Sequence, residues 1–373
     1  MTSKSSPTQN SKHDPESEPE SGPGFFHRFL LRSEKLLGRL SRGRVADDRA
    51  FVRCFHGYGF QDKAILRGRV EMKRVLRESD IDDSKRRNFM NMAANFFTKE
   101  IPGAHVEGMA DGNSFSAICD DEGYFSHELT VARPFSPSPE LSFTAYVSDG
   151  TAEPTPLTET THGQLSICPD TAQRIIISDV DDTVMETGAA KLWQLLRNTL
   201  LENVHTRKIF PGVSAFYRKL QEGEDGRSQN PIFYVTSSPW NLRDFILKVF
   251  ELRNTPRGPL FMTDWGLDEG KFLKAGHSDH KLGAIRHLLD FHGDMKAILI
   301  GDSGEKDPEI YARVVKEYPD RIEAVFIRDV SDDTRDQEIA KIIKATAEES
   351  IPFHPVADTD EAESLARGLR LIV

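Results

Sequence analysis

The spacing of apolar positions divides the chain into four regimes. Residues 1–24 carry no apolar side chain between Met1 and the Phe25-Phe26 pair, too little burial to offset ordering entropy, so a disordered tail is expected. In residues 25–48, Phe26, Phe29, Leu30, Leu36, Leu37 and Leu40 fall near helical spacing, while within FFHRFLLRSEKLLGRLSRGR (25–44) Arg28, Arg32, Lys35, Arg39, Arg42 and Arg44 oppose the single acid Glu34. That pattern predicts a basic amphipathic helix, suited either to an anionic membrane surface or to docking on the chain's own domains.

From 49 to 170 the pattern changes to short, partly alternating segments: FVRCFHGYGF, KAILRGRVEM, AHVEGMADG, SFSAICDDEGYFSHELTVA, LSFTAYVSDG and QLSICP. Turn-forming DG, DDEG and SPSP clusters separate them, which predicts a β-sandwich-like domain with a helical insertion near residues 78–100. From 171 to 373, apolar runs near 174–178, 231–236, 259–262, 296–300 and 322–327 alternate with helical patterns near 190–203, 213–222, 240–251, 279–292, 307–317 and 335–348. A short strand and a closing helix are expected in the tail. Such alternation predicts an α/β domain, a Rossmann-like parallel sheet with helices on both faces.

The most informative run is Arg174–Val184, where RIIIS leads into DVDDTV. A continuous apolar run reads as a buried parallel strand, and its carboxyl end is where open α/β sheets bind ligands. Crowded carboxylates there repel one another, and a divalent cation relieves them. The expectation is a magnesium-dependent phosphoryl-transfer site. Asp179 is the natural nucleophile, and Asp181, two residues on, is the candidate to protonate the leaving oxygen and then activate water.

Further strand ends supply the remaining parts. FYVTSSPW ends a strand in Thr236, a candidate phosphate contact, with Ser238 and Pro239 read as the cap of the next helix. Lys281, in His280-Lys281-Leu282-Gly283, sits at a helix start where a cation opposes the helix dipole, which invites a functional explanation: neutralising a phosphate. AILIGDSGEKDPEIY brings Asp302 to a strand end as a direct magnesium ligand, and Asp307 near the metal with a competing role as helix cap. Trp193, Trp240 and Trp265 are candidates for the rim of the site, against burial in the core.

Composition narrows the partners. With 48 Lys plus Arg against 59 Asp plus Glu, the net charge of −11 makes no electrostatic case for nucleic acid. Cys54, Cys119 and Cys168 have neither disulfide nor zinc spacing. No apolar run approaches the roughly 18 residues that a membrane span needs, and the polar opening is unlike a secretory signal. A cytoplasmic location is expected, with peripheral membrane contact through residues 25–48.

In order along the chain, DVDDT, a strand-end Thr, a Lys-led helix and GDSGEKD resemble the four motifs of the haloacid dehalogenase-like hydrolases. More narrowly, ISDVDDTVMETG, PGVSAFYRKL, FYVTSSPW, HKLGAI and ILIGDSGEKDPEIY resemble the actin-patch-type phosphatidate phosphatases, over about residues 165–330. Thr236 stands where serine is usual in those relatives. The resemblance implies Asp179 as nucleophile and Asp181 as acid/base. It implies Thr236 and Lys281, with Thr183, as substrate contacts, and magnesium held among Asp179, Asp181, Asp302 and Asp307. The short connections after Thr183 and Thr236 leave no room for a large cap domain, which suits a phosphate presented on a surface. The expected activity is hydrolysis of phosphatidate to diacylglycerol and phosphate, with a phospholipid as substrate. Two rivals stay open: the same chemistry on a soluble or protein phosphomonoester, and a non-catalytic adaptor binding membranes or proteins.

Overall fold

In the computed structural model, which describes residues 50–72, 101–146, 156–181, 183–184, 210–263, 277–330, 339, 342 and 353–373, the alternating segments ahead of residue 170 form two sheets. The expected tail 1–24, the basic helix 25–48, the insertion near 78–100, the helix near 190–203 and nearly all of the helix near 335–348 lie outside the described residues. One sheet joins β1 (Ala50–Cys54), β2 (Gly57–Phe60), β3 (Lys63–Met72), β6 (Tyr124–Thr130) and β9 (Leu165–Cys168). The other joins β4 (His105–Ala110), β5 (Asn113–Ile118), β7 (Leu141–Tyr146) and β8 (Thr161–His162) in the order β5-β4-β7-β8. Leu141, Phe143 and Ala145 alternate inward along β7, as period-two spacing dictates. They share one apolar core with Val106 and Phe115 of their own sheet and with Val52, Leu66, Val70 and Phe125 of the other.

The stretch FVRCFHGYGF was expected as one segment and forms two strands. Cys54 lies opposite Gly68, but Tyr58 lies opposite Ile65, so one extra residue sits on the β1–β2 side of the ladder. A bulge of this kind re-aims the side chains beside it. Phe55, at the bulge, stacks on Trp240 with ring centroids 4.1 Å apart.

The second half is α/β, as its alternation predicts. Strands β10 (Arg174–Ser178), β11 (Ile232–Pro239), β12 (Leu260–Thr263), β13 (Lys296–Asp302), β14 (Ile322–Arg328) and β15 (Phe353–Val356) form one parallel sheet in the order β12-β11-β10-β13-β14-β15. Every residue of β10 is buried, because β10 is central and covered on both faces. Among the described residues the α-helices with full bounds are α1 (Val213–Glu222), α2 (Arg243–Leu252), α3 (His277–Phe291), α4 (Asp307–Glu317) and α5 (Thr359–Gly368).

Alternate residues of β10 serve opposite faces. Ile175 and Ile177 pack with Leu282, Ile285 and Leu288 of α3 and with Ile310 and Val314 of α4. On the other face, Ser178 hydrogen-bonds the Tyr217 hydroxyl of α1 at 2.6 Å, and Phe216 meets Phe326 of β14 edge-on. Pro308 in the first turn of α4 forgoes an amide that has no intrahelical partner there. At α5 the Asp358 carboxylate accepts the Glu361 amide, and Glu361 reaches back to accept from the amide of Ala357.

From β10 the chain runs outward to β11 and β12, then returns across β10 to β13. That reversal opens a crevice at the carboxyl ends of the strands. At the opposite end of β10, Arg174 donates through Nε to Glu323 at 2.6 Å and through Nη1 to the Leu371 carbonyl at 3.3 Å.

Tyr58 carries the first sheet into the α/β core. Its ring meets Phe233 edge-on at 5.6 Å, and its hydroxyl lies 2.7 Å from His287 Nε2. Packing dominates the hydrogen bond at such a site, since truncating a large buried ring costs about 3–5 kcal/mol and losing one hydrogen bond about 1 kcal/mol. Tyr58→Ala should therefore lower unfolding free energy in urea several times more than Tyr58→Phe; equal losses would show that the hydrogen bond, and not the ring, holds the two halves together.

Candidate active site

Three strand ends meet at the crevice. The amide of Asp179, just past β10, donates to the Ile300 carbonyl of β13 at 2.8 Å, which fixes this acid at the seam between the two strands. Asp302 ends β13. Its Oδ1 accepts the amides of Gly304 at 2.7 Å and Glu305 at 2.9 Å, so the turn after the strand is wound around the carboxylate. Asp307 opens α4 and accepts the Asp302 amide at 3.3 Å. Gly301 permits this closeness: a Cβ there would stand 2.3 Å from Asp307 Oδ2 and 2.8 Å from the Tyr311 ring.

Lys281 reaches the same place from α3. Its Nζ donates to Asp179 Oδ1 at 2.9 Å, to Glu305 Oε2 at 3.2 Å, and to Asp307 Oδ1. The lysine is only 1% exposed, and its pKa is raised well above the ordinary value because these carboxylates outweigh the burial that opposes its charge. Lys281 lies a full turn inside α3, which begins at His277, so the carboxylates and not the helix terminus decide its position. Glu305 is a member of this cluster that sequence reasoning did not single out; GDSGEKD carries it, and its place two residues before Asp307 was the available signal.

Asp181 stands apart from that group. Its Oδ2 accepts the Thr236 hydroxyl at 2.6 Å and the Ser238 hydroxyl at 2.8 Å, while the Ser238 amide donates to Thr236 Oγ1 at 2.9 Å. Two expectations are corrected here. Pro239 takes the N-cap position of the 3-10 turn Trp240–Leu242 that leads into α2, but Ser238 does not cap it, and neither Pro239 nor Leu242 makes a side-chain cap; the Ser238 hydroxyl prefers the stronger, charged acceptor. Thr236 is consequently engaged with Asp181 and is not held free. Asp307 likewise does not cap α4, where Lys306 occupies the N-cap position without a side-chain bond, because its carboxylate is taken by Lys281 and the Asp302 amide. Thr183 is buried, with its hydroxyl 3.4 Å from Asp302 Oδ2. Trp240 leans on Phe55 near the site, whereas Trp193 and Trp265 lie outside the described residues.

The electrostatics are those of buried acids in excess over one cation. Asp179, Asp302 and Asp307 each bring a carboxylate oxygen within 4.8 Å of the others, all three residues being buried. Burial raises Asp179 well above the usual carboxylate range; Lys281 opposes this, and Asp307, Glu305 and Asp302 add to it. Burial and neighbouring acids raise Asp302 in the same way. Among the described residues, Asp179 Oδ2 is buried without a hydrogen-bond partner. Hard oxygen donors, surplus negative charge and one unpartnered oxygen are what a divalent cation such as magnesium requires, and these residues fit it. Asp181 is pushed up to about 6 by burial and by the Glu305 charge, against the pull of its two hydroxyl donors.

Comparison with known proteins points the same way over part of the chain. Residues 174–329 match the family described as "Phosphatidate phosphatase APP1, catalytic domain", so the resemblance read from the motifs holds for this segment. The phosphatidate phosphatase APP1 of Saccharomyces cerevisiae is 31% identical over 163 residues, 43% of this chain and 27% of that protein. An uncharacterized protein of Schizosaccharomyces pombe is 34% identical over 166 residues, 42% of this chain and 25% of its own length. The chain thus spans about a quarter of these two relatives' length. Among solved structures, a carbohydrate acetylesterase from Xanthomonas citri aligns over 72% of this chain and 66% of its own, at 10% identity and a TM-score of 0.26.

The raised Asp181 carries a pH signature. A carboxyl whose folded pKa lies near 6, against an ordinary 3.8, binds more protons folded than unfolded between those values, so its contribution to stability falls as pH rises through that window. Asn mimics the protonated acid. In chelated buffer, Asp181→Asn should match the wild type near pH 4 and exceed it by about 3 kcal/mol above pH 7. Urea denaturation across that range measures the difference; a gap that does not change with pH would mean that the acid is not raised.

Proposed function

We propose, from the likeness of residues 174–329 to the APP1-type catalytic domain, that this chain is a magnesium-dependent phosphatidate phosphatase with a haloacid dehalogenase-like site. The observation that carries the reading is the buried, unpartnered Oδ2 of Asp179, set at a strand end among Asp302, Asp307 and Lys281.

In this reading a carboxylate oxygen of Asp179 attacks phosphorus, the bond to the glycerol oxygen breaks, and an aspartyl-phosphate forms. Lys281 keeps its proton throughout and offsets charge on the phosphoryl oxygens. Asp181, with a pKa near 6, gives its proton to the departing glycerol oxygen and then takes one from the water that cleaves the aspartyl-phosphate. Thr236 and Ser238 aim that carboxylate by bonding the same oxygen. Asp179 and Asp302, with Asp307 beside them, would hold magnesium, which would supply positive charge against the phosphate. Phosphatidate is the substrate we favour because the matched family carries that activity in its name. The segment ahead of residue 170 is assigned as a sandwich-like accessory domain, and residues 25–48 as a peripheral anchor to anionic membrane on a cytoplasmic protein.

Purified chain should release phosphate from phosphatidate in mixed micelles and not from a panel of soluble phosphomonoesters, with Asp179→Asn or excess chelator abolishing the release. Release confined to soluble esters would retain the mechanism and discard the lipid; undiminished release by Asp179→Asn would discard the nucleophile. Deleting residues 25–44 should weaken sedimentation with anionic vesicles, more so at low salt, and unchanged sedimentation would remove the anchor.

A further inference from the structure

Beside the turn that follows β11, a cleft of about 400 Å³ lies between Phe55, Arg67, Ile118, Tyr124 and Trp240. Its volume falls within the roughly 300–1,000 Å³ of small-molecule pockets. Its position is set by the bulge between β1 and β2, which turns Phe55 onto Trp240; the two rings are stacked within 10° of parallel, and Tyr124 lies about 6 Å from both.

The unusual member is Arg67. Its guanidinium lies over Phe261 at 4.4 Å and Tyr58 at 5.3 Å. Among the described residues its Nη2 makes long contacts, 3.4 Å each, to the carbonyls of His56 and Leu260, and its Nε is buried with no partner. Among the described residues no carboxylate pairs with it. The neighbouring arginines are different: Arg53 takes Glu71 and Asp244, and Arg243 takes Asp244 and the Cys54 carbonyl. The nearby acid Asp120 is occupied by the amides of Glu122 and Tyr124. A half-buried cation with weakly satisfied donors and, among the described residues, no counter-charge is stabilised by an anion that reaches its exposed part. The aromatic wall and Ile118, 68% exposed at the mouth, offer apolar surface to the same guest.

We propose that this cleft binds an anionic amphiphile, its carboxylate or phosphate on Arg67 and its apolar chain along Phe55, Tyr124 and Trp240 toward Ile118. The site is separate from the carboxylate cluster and stands whether or not that cluster is a phosphatase. It is nonetheless its neighbour, since Trp240 lies two residues beyond Ser238, whose hydroxyl holds Asp181.

Isothermal titration of the full chain with dodecanoate, below its micellar concentration, tests this. One saturable site is expected, weakened roughly tenfold or more in Arg67→Met and partly restored in Arg67→Lys. Ile118→Asp, a change at an exposed position that the fold tolerates, should weaken it severalfold and decides the matter should Arg67→Met not fold. Dodecyl maltoside and inorganic phosphate, each carrying one half of the chemistry, should both bind far more weakly. Undiminished binding in Arg67→Met and Ile118→Asp would overturn the proposal. So would dodecyl maltoside matching dodecanoate, which would make the cleft merely apolar, or inorganic phosphate matching it, which would make it merely cationic.

Discussion

The arrangement depends on placing several carboxylates around one ammonium group out of water. Buried acids repel, and the protein holds them together by backbone means: the Asp179 amide on Ile300, the Gly304 and Glu305 amides on Asp302, the Asp302 amide on Asp307. Among the described residues Lys281 is the side-chain cation that bonds them, and it is delivered by a helix whose Leu282, Ile285 and Leu288 belong to the main apolar core. The charge cluster and the core are therefore one construction. A shift of α3 that relieved the carboxylates would strip the β10 face that it covers, so the electrostatic strain at the strand ends is held in place by hydrophobic burial elsewhere.

The region ahead of residue 170 takes part in the same construction. Tyr58 and Ile65 belong to the core beneath α3, and Phe55 supports the turn that carries Ser238 and Trp240. Thus the antiparallel strands brace β11 at the level where its hydroxyls meet Asp181. Burying the phenol ring of Tyr58 also shifts its hydroxyl up to about 12, and the neutral phenol hydrogen-bonds His287.

The parallel sheet was legible because its strands are continuous apolar runs ending in chemistry-bearing residues: RIIISD, IFYVT and KAILIGD are unambiguous by period and length. The acids at those ends were legible for the same reason. What the sequence did not display was the pairing among side chains. Ser238 reads as a helix cap in one dimension, and only the meeting of β10 with β11 brings it to Asp181. Glu305 reads as turn polarity until α3 is laid beside it. The bulge at Phe55 was hidden because a single extra residue leaves the hydrophobic pattern of FVRCFHGYGF intact. Arg67 was hidden because nothing in KAILRGRVEM shows which aromatic rings will meet its guanidinium.

Arg174 links the beginning of the central strand to the Leu371 carbonyl, and Leu371 and Ile372 are buried. Between them in sequence lies the rest of the parallel sheet. During synthesis, then, β10 emerges early with a hydrophobic face on either side and must wait for nearly two hundred further residues before its base is closed. Non-local closure of this kind is slow and leaves apolar strands exposed while translation proceeds.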